Sequence, residues 1–272
     1  MSDMRYAFST LGVPGMPVGE VVQLAAGAGF DGVELRAHPE EEVHPRVGLR
    51  ERSAVREQFA DAGVSILAVS GYARVAAAHD ERGEEELAAE LTELVVLASD
   101  LGAKFVRVFP GGGDRPAEEA DAEAARHLAA VAPFAAERDV RVLLETHDSH
   151  PRGADAARIV GPVGHRHIGA LWDVLHPWLG GEAPVDTFAA LAPYLGFVQV
   201  KDVASAEDTT PLPLGAGTVP LADCVGALTR AQWDGWLCWE YEKRWYPRAA
   251  DLPGLLSAGR EHLERLVASA AS

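Results

Sequence analysis

Cysteine is almost absent: Cys224 and Cys238 are the only two. Two thiols exclude a disulfide framework and fit a reducing, cytoplasmic setting. Neither forms a C-x-x-C pair, and both read as small core residues. Basic residues are also few, 24 Lys and Arg against 41 Asp and Glu, for a net charge of −17. That balance argues against a nucleic-acid partner, because phosphate-backbone binding runs on clustered Lys and Arg. No apolar run approaches the roughly 18 residues that a bilayer span requires, so no membrane association is expected. The opening Met-Ser-Asp-Met-Arg-Tyr-Ala-Phe lacks the basic-then-apolar pattern of a signal peptide. Linkers and low-complexity stretches are missing as well. The 272 residues, 48% of them hydrophobic, suffice for one large buried core, expected over residues 1–272 as a single domain.

What is present is a repeated unit. An Ala/Leu-rich helical stretch ends, a Gly or polar turn follows, and a short apolar run begins. The junctions start at Ala26, Asp61, Ser99, Glu137, His167, Leu195 and Trp233. With an opening strand over Arg5 to Ser9, they give eight strands. Apolar stripes at helical spacing, such as Leu87, Leu91, Leu94, Val95 and Ala98, lie between them. Gly29, Gly63 and Gly102 stand where left-handed helix stops belong. Short, nearly all-apolar strands suit parallel strands covered by helices. Eight strand–helix units averaging 34 residues fit a closed α/β barrel, a (β/α)8 TIM barrel, better than an open doubly wound sheet. No Gly-x-Gly-x-x-Gly follows the first strand. Gly111-Gly112-Gly113 lacks the spacing of a dinucleotide loop and reads as a turn. A final helix is expected over Leu252 to Val267.

In such a barrel the active site lies at the C-terminal ends of the strands. Polar residues gather there: Glu34 on the second strand, Arg107 on the fourth, Glu145 and His147 on the fifth. Asp173 and His176 follow the sixth, Gln199 and Lys201 the seventh, and Glu240 the eighth. Strand alternation puts Leu143, Glu145 and His147 on one face, with Phe197, Gln199 and Lys201, and Trp236, Cys238 and Glu240, grouped likewise. Glu145, Asp173, Gln199 and Glu240 therefore converge on one mouth. Three convergent carboxylates repel unless a cation or a proton intervenes. An all-oxygen set favours one divalent ion, Mn²⁺, Mg²⁺ or Co²⁺ over Zn²⁺. Asp148, Asp202 and Glu242 read as caps or solvated loop residues. Glu40 to Glu42 and Asp80 to Glu86 read as solvated faces or helix starts. His165 to His167 fall at the opposite, stability end. Trp178 and Trp245 are placed to line the pocket and stack on a sugar ring. Substrate choice is expected in the loops Gly71–Gly83, Phe109–Ala117 and Ala204–Thr218.

These residues resemble the sugar phosphate isomerase/epimerase superfamily, the xylose isomerase-like barrels that include ketose 3-epimerases and inosose dehydratase. The resemblance covers essentially the whole chain. It rests on Gly29-Phe30-Asp31-Gly32-Val33-Glu34-Leu35, Leu144-Glu145-Thr146-His147, Asp173-Val174-Leu175-His176 and Val198-Gln199-Val200-Lys201-Asp202. Pro213-Leu214-Gly215-Ala216-Gly217 leading to Val219-Pro220-Leu221, and Gly235-Trp236-Leu237-Cys238-Trp239-Glu240, complete it. It implies a metal set Glu145, Asp173, Gln199 and Glu240, with Gln199 standing where the family usually has His. It implies an isomerase or epimerase acting on a ketose or polyol-derived small molecule by proton transfer next to a carbonyl. Glu145 and Glu240 would exchange the proton, and the metal would hold the carbonyl and adjacent hydroxyl oxygens. His147, His176, Lys201, Arg107 and Glu34 would contact substrate. Two alternatives stand beside this reading: a dehydratase of an inosose-like substrate, and a non-catalytic sugar-binding protein with a decayed metal site at Gln199. A phosphodiesterase of the endonuclease IV type is disfavoured by charge and by the few His at strand ends. A homodimer is compatible with the sequence, but no residue pattern demands it.

Overall fold

The computed structural model describes residues 4–78 and 80–271. Eight parallel strands close into a barrel: β1 (Arg5–Ser9), β2 (Gly32–Arg36), β3 (Ser65–Arg74), β4 (Phe105–Phe109), β5 (Arg141–Glu145), β6 (Ile168–Asp173), β7 (Leu195–Val200) and β10 (Trp236–Trp239). Between β7 and β10 a small antiparallel hairpin forms from β8 (Asp202–Val203) and β9 (Pro211–Leu212). Helices α1 (Val18–Gly27), α2 (Leu49–Asp61), α3 (Glu81–Leu101), α4 (Ala117–Glu137) and α5 (Gly153–Val163) alternate with the early strands. The short α6 (Leu175–Leu179), then α7 (Pro184–Leu191), α8 (Leu221–Arg230) and α9 (Leu256–Ala270) complete the ring. This is the expected (β/α)8 barrel.

The helical stripes do the expected packing. Leu87, Leu91, Leu94, Val95 and Ala98 of α3 are all buried against the barrel. Gly29, Gly63 and Gly102 take φ of 75°, 68° and 76°, the left-handed stop that a side chain would strain. At the start of α3, Asp80 accepts a hydrogen bond from the Gly83 amide (2.8 Å), as a helix start should. One boundary differs from expectation. The final helix is interrupted: Leu252–Gly254 forms a 3-10 turn and α9 begins at Leu256. Pro253 fits a first turn, and the tightened turn ends at Leu255 before the longer helix begins.

Inside the barrel, two layers follow from strand alternation. Phe105, Leu143, Leu171, Phe197, Trp236 and Cys238 join Ala7, Leu67 and Ala68 in an interior apolar cluster. Two residues further along the strands stand Arg107, Glu145, Asp173, Gln199 and Glu240. Register pairs Asp173 with Gln199, Gln199 with Cys238 and Glu145 with Leu171, so the two layers step along the barrel axis from strand to strand. The apolar layer is the floor of the mouth.

Candidate active site

Next to this apolar floor lies one connected polar network. Gln199, fully buried on β7, donates its amide protons to Glu34 (3.1 and 3.0 Å to its two oxygens) and to Glu240 Oε1 (2.9 Å). Glu34, fully buried on β2, also accepts from Ser70 Oγ and from Cys238 Sγ (3.3 Å). Its oxygens are thus occupied, and Glu34 does not line the open cavity. Thr146 brackets the β6 backbone: its hydroxyl donates to the Asp173 carbonyl (3.1 Å) and accepts from the Asp173 amide (3.0 Å). Asp173 Oδ1 accepts from the Leu175 amide (2.8 Å), so both the backbone and one carboxylate oxygen of this residue are held.

Lys201 and Arg107 supply positive charge within the cluster. The Lys201 ammonium, 3% exposed, lies 2.7 Å from Asp173 Oδ2, 2.7 Å from Glu242 Oε1 and in contact with Glu240 Oε2. Arg107 Nη1 stands 3.2 Å from Glu145 Oε2, its guanidinium stacked over Phe109 at 4.0 Å. His147 and His176 sit above, their rings 4.2 Å apart, with Phe109 4.4 Å from His147. A cavity of 50 Å³ opens among Leu11, Tyr72, Phe109, Trp245 and the charged groups Arg107, Glu145, His147, Lys201, Glu240 and Glu242.

Burial and charge shift the acids in different directions. Burial pushes the Glu240 carboxyl up to about 8; nearby Glu145, Glu34 and Asp173 add to this and Lys201 opposes it. Burial also raises Glu145, against the pull of Arg107. Burial would raise Asp173 too, yet Lys201, His176 and the Leu175 amide hold it below its usual value. Burial opposes the charge on Lys201, but Asp173, Glu240 and Glu242 outweigh it and raise the ammonium well above its usual value. Burial lowers His176 to about 4, so its imidazole is neutral near pH 7. Burial and charge thus push these acids apart, Asp173 toward its ionised form and Glu240 toward its protonated one.

Hard oxygen donors are available for a cation. Glu145 Oε2, Asp173 Oδ2 and Gln199 Oε1 are buried without a hydrogen-bond partner among the described residues; the first two meet cationic side chains only as ion pairs. Three such oxygens fit a divalent metal better than an empty polar pocket. Beside them, ligand atoms of Glu145, His147 and His176 lie within 4.8 Å of one another. A second such group, Glu84, Glu123 and His127, is already filled by Arg126, whose Nη2 is 2.7 Å from both carboxylates and 3.1 Å from the His127 ring.

The structure therefore brings Glu145, Asp173, Gln199, Glu240, Lys201 and Arg107 together, with Glu34 beneath them and His147 and His176 at the rim. Glu242, expected as a cap or a solvated loop residue, is a partner of Lys201; it lies two residues past Glu240, where alternation points to the same side. Ser70 and Tyr72 escaped notice. They stand on a ten-residue β3 with a register shift, which no short apolar run reveals. Asp202 is a loop organiser, consistent with its capping role. It accepts from Val203 (3.1 Å), Gly215 and Gly217 (2.9 Å each) and Val219 (3.2 Å), which folds the Pro213–Gly217 turn around one carboxylate. Trp245 lines the cavity and is 51% exposed, whereas Trp178 packs on the core.

A barrel with a polar mouth of this kind defines a class, and comparison with known proteins places the chain in it. Residues 22–266 match the xylose isomerase-like TIM barrel family, and the chain belongs to that family. It is similar to the 3-dehydroshikimate dehydratase of Bacillus anthracis, 24% identical over 216 residues, covering 75% of this chain and 74% of the relative. It is similar also to a Streptomyces coelicolor protein provisionally named a hydroxypyruvate isomerase, 28% identical over 267 residues, covering 90% and 92%. Among solved structures, a D-psicose 3-epimerase with D-fructose superposes with a TM-score of 0.82 at 14% identity, covering 97% of this chain and 99% of that one. At that identity the last likeness speaks to the fold alone. No helix among the described residues is long and apolar enough to cross a membrane.

Proposed function

We propose that this protein is a divalent-metal-dependent isomerase or epimerase that moves a proton at a carbon next to a carbonyl of a small ketose or keto-polyol. The observation that carries this reading is the pair of buried acids, Glu145 and Glu240, lining one small cavity, with the buried Gln199 Oε1 left without a hydrogen-bond partner among the described residues. Glu145, Asp173, Gln199 and Glu240 would hold the ion. Bound there, it would polarise the substrate carbonyl and stabilise the negative charge that develops on its oxygen.

The chain's own residues divide the remaining work. Of the two buried carboxyls that line the cavity, one, Glu145 beside Arg107, would remove the proton and the other, Glu240, would return it. His176, neutral near pH 7, and His147 at the rim are placed to hold substrate hydroxyls, with Lys201 and Arg107 facing substrate oxygens from the cavity wall. Glu34 acts through Gln199, fixing its amide so that Oε1 stays free. Trp245 offers a flat apolar wall.

The test is hydrogen exchange. Purified protein with Mn²⁺, screened against ketoses and keto acids in D₂O, is expected to incorporate deuterium next to the carbonyl. Glu145→Gln is expected to abolish that incorporation, and Glu240→Gln to abolish formation of the epimer or isomer; product formation by Glu240→Gln at the unaltered rate would remove Glu240 from its role. A dehydratase is the second reading, favoured by the dehydratase relative. The same base would then expel a β-hydroxyl, and an ultraviolet-absorbing enone would replace the exchanged ketose as product.

A further inference from the structure

Five acids and two cations crowd the mouth: Glu34, Glu145, Asp173, Glu240 and Glu242 against Arg107 and Lys201. Buried charge without a partner costs several kcal/mol per ion in typical proteins, so such a cluster needs a cation at all times. The Lys201 ammonium meets that need for Asp173 Oδ2 and Glu240 Oε2. These are oxygens of two of the four proposed metal ligands. An ammonium and a divalent ion sharing them would repel strongly in this dry pocket. Glu242 differs from the other two partners. It is no metal ligand, its side chain is 22% exposed, and its Oε1 is already 2.7 Å from Nζ. A lysine on a flexible four-carbon stem can therefore yield Asp173 and Glu240 while keeping Glu242.

We propose that Lys201 is an internal stand-in for the metal, competing with the divalent ion for Asp173 and Glu240, and that Glu242 retains the lysine when the ion binds. The inference rests on the metal reading above and adds to it a residue pair that sets metal affinity. Metal-free protein is then folded with the ammonium on Asp173 and Glu240, and metal binding is weaker than its four ligands alone would give. Arg107 meets one ligand oxygen, Glu145 Oε2, at 3.2 Å with its guanidinium over the Phe109 ring, whereas Lys201 reaches oxygens of two ligands.

The experiment is Mn²⁺ titration of chelator-stripped protein, read by the loss of the free-ion paramagnetic resonance signal and by the shift in thermal midpoint. Lys201→Met is expected to bind Mn²⁺ about tenfold more tightly than the unaltered chain, with a larger thermal shift on loading. Glu242→Gln is expected to bind about threefold more weakly, because the displaced lysine loses its remaining carboxylate. In the double variant that weakening is expected to shrink, since no lysine is left to retain. Unchanged or weaker binding by Lys201→Met, with clear binding by the unaltered chain, overturns the role of Lys201 and leaves the metal reading standing. No binding by any form overturns the metal reading itself. If Lys201→Met does not fold, Lys201→Arg and Glu242→Gln carry the test. Both are expected to weaken Mn²⁺ binding or, for Lys201→Arg, leave it unchanged, and tighter binding by either one overturns the proposal.

Discussion

The lower and upper halves of the barrel interior are built by the same strands and differ only by two residues of chain. Leu143, Phe197, Trp236 and Cys238 fill the lower layer with apolar volume. Glu145, Gln199, Lys201 and Glu240 fill the upper layer with charge and hydrogen bonds. Both layers are almost free of solvent, yet they are held by opposite physics. The lower one gains from excluding water. The upper one spends part of that gain on groups whose burial is unfavourable unless each finds a partner. Stability and chemistry are thus stacked along one axis, and substitutions should separate them.

The largest separation is expected from Glu240→Gln. It should lower turnover by about 10²–10⁴-fold, the usual worth of a positioned acid or base. Its thermal midpoint should stay level or rise near pH 7, because burial already disfavours the charged form of this carboxyl. A marked loss of stability would show that the upper layer also holds the barrel together. The mirror experiment is Phe197→Ala in the lower layer. It should cost about 3–5 kcal/mol in denaturant unfolding, as large aromatic deletions in sealed cores do. A cost near zero would mean the floor is not closed. Gly217→Ala tests the loop beside the mouth. A Cβ there would lie 2.2 Å from the Val203 carbonyl oxygen and 2.3 Å from Asp202 Oδ1, so the turn must move, at about 1–3 kcal/mol.

The smallest effect concerns Asp148 at the rim. Its carboxylate accepts from the Gly111 amide (3.1 Å) and from the Ser149 amide and hydroxyl. Burial would raise its pKa, but His147 and these donors hold it well below the ordinary carboxylate range. A carboxyl depressed on folding lends stability above its unfolded pKa of about 3.9 and loses it as pH falls through the folded value. Asp148→Asn, which still tolerates the φ of 33° at this position, should cost about 0.5–1 kcal/mol at pH 7 and flatten the acid limb of the stability profile. An acid limb as steep as before would assign that proton to another group.

Much of this was legible in the sequence because parallel strands buried on both faces are nearly pure apolar runs. All seven helix-to-strand junctions lie where the turns between Ala26 and Trp233 put them. Alternation likewise brought Gln199 into contact with Glu240, and Glu145 and Glu240 to one cavity. The quartet's company was harder to see. Sequence argued that three carboxylates need a cation and named a metal; it did not show that Lys201 reaches two of them. That outcome depends on the length and path of a flexible side chain across β7, β6 and β10, which no spacing rule encodes. The β8–β9 hairpin looks like loop in the sequence because two-residue strands have no periodicity to detect. The break before α9 was hidden because Leu252, Leu256 and Leu263 keep an apolar stripe through Pro253.

Asp202 has a further consequence for how such a mouth can change over evolutionary time. Its carboxylate pins the base of the segment from Val203 to Val219 through four backbone amides. The tip from Ser205 to Thr210 is closed by its own short-range bonds and by Thr209 on Tyr246 (2.6 Å). A segment clamped at its root and self-contained at its end is an interchangeable cassette. Insertions or replacements at residues 205–210 can remodel the rim and leave Lys201, one residue before the clamp, where it is. The barrel can in this way trial new substrates at the tip without reopening the question of its own chemistry.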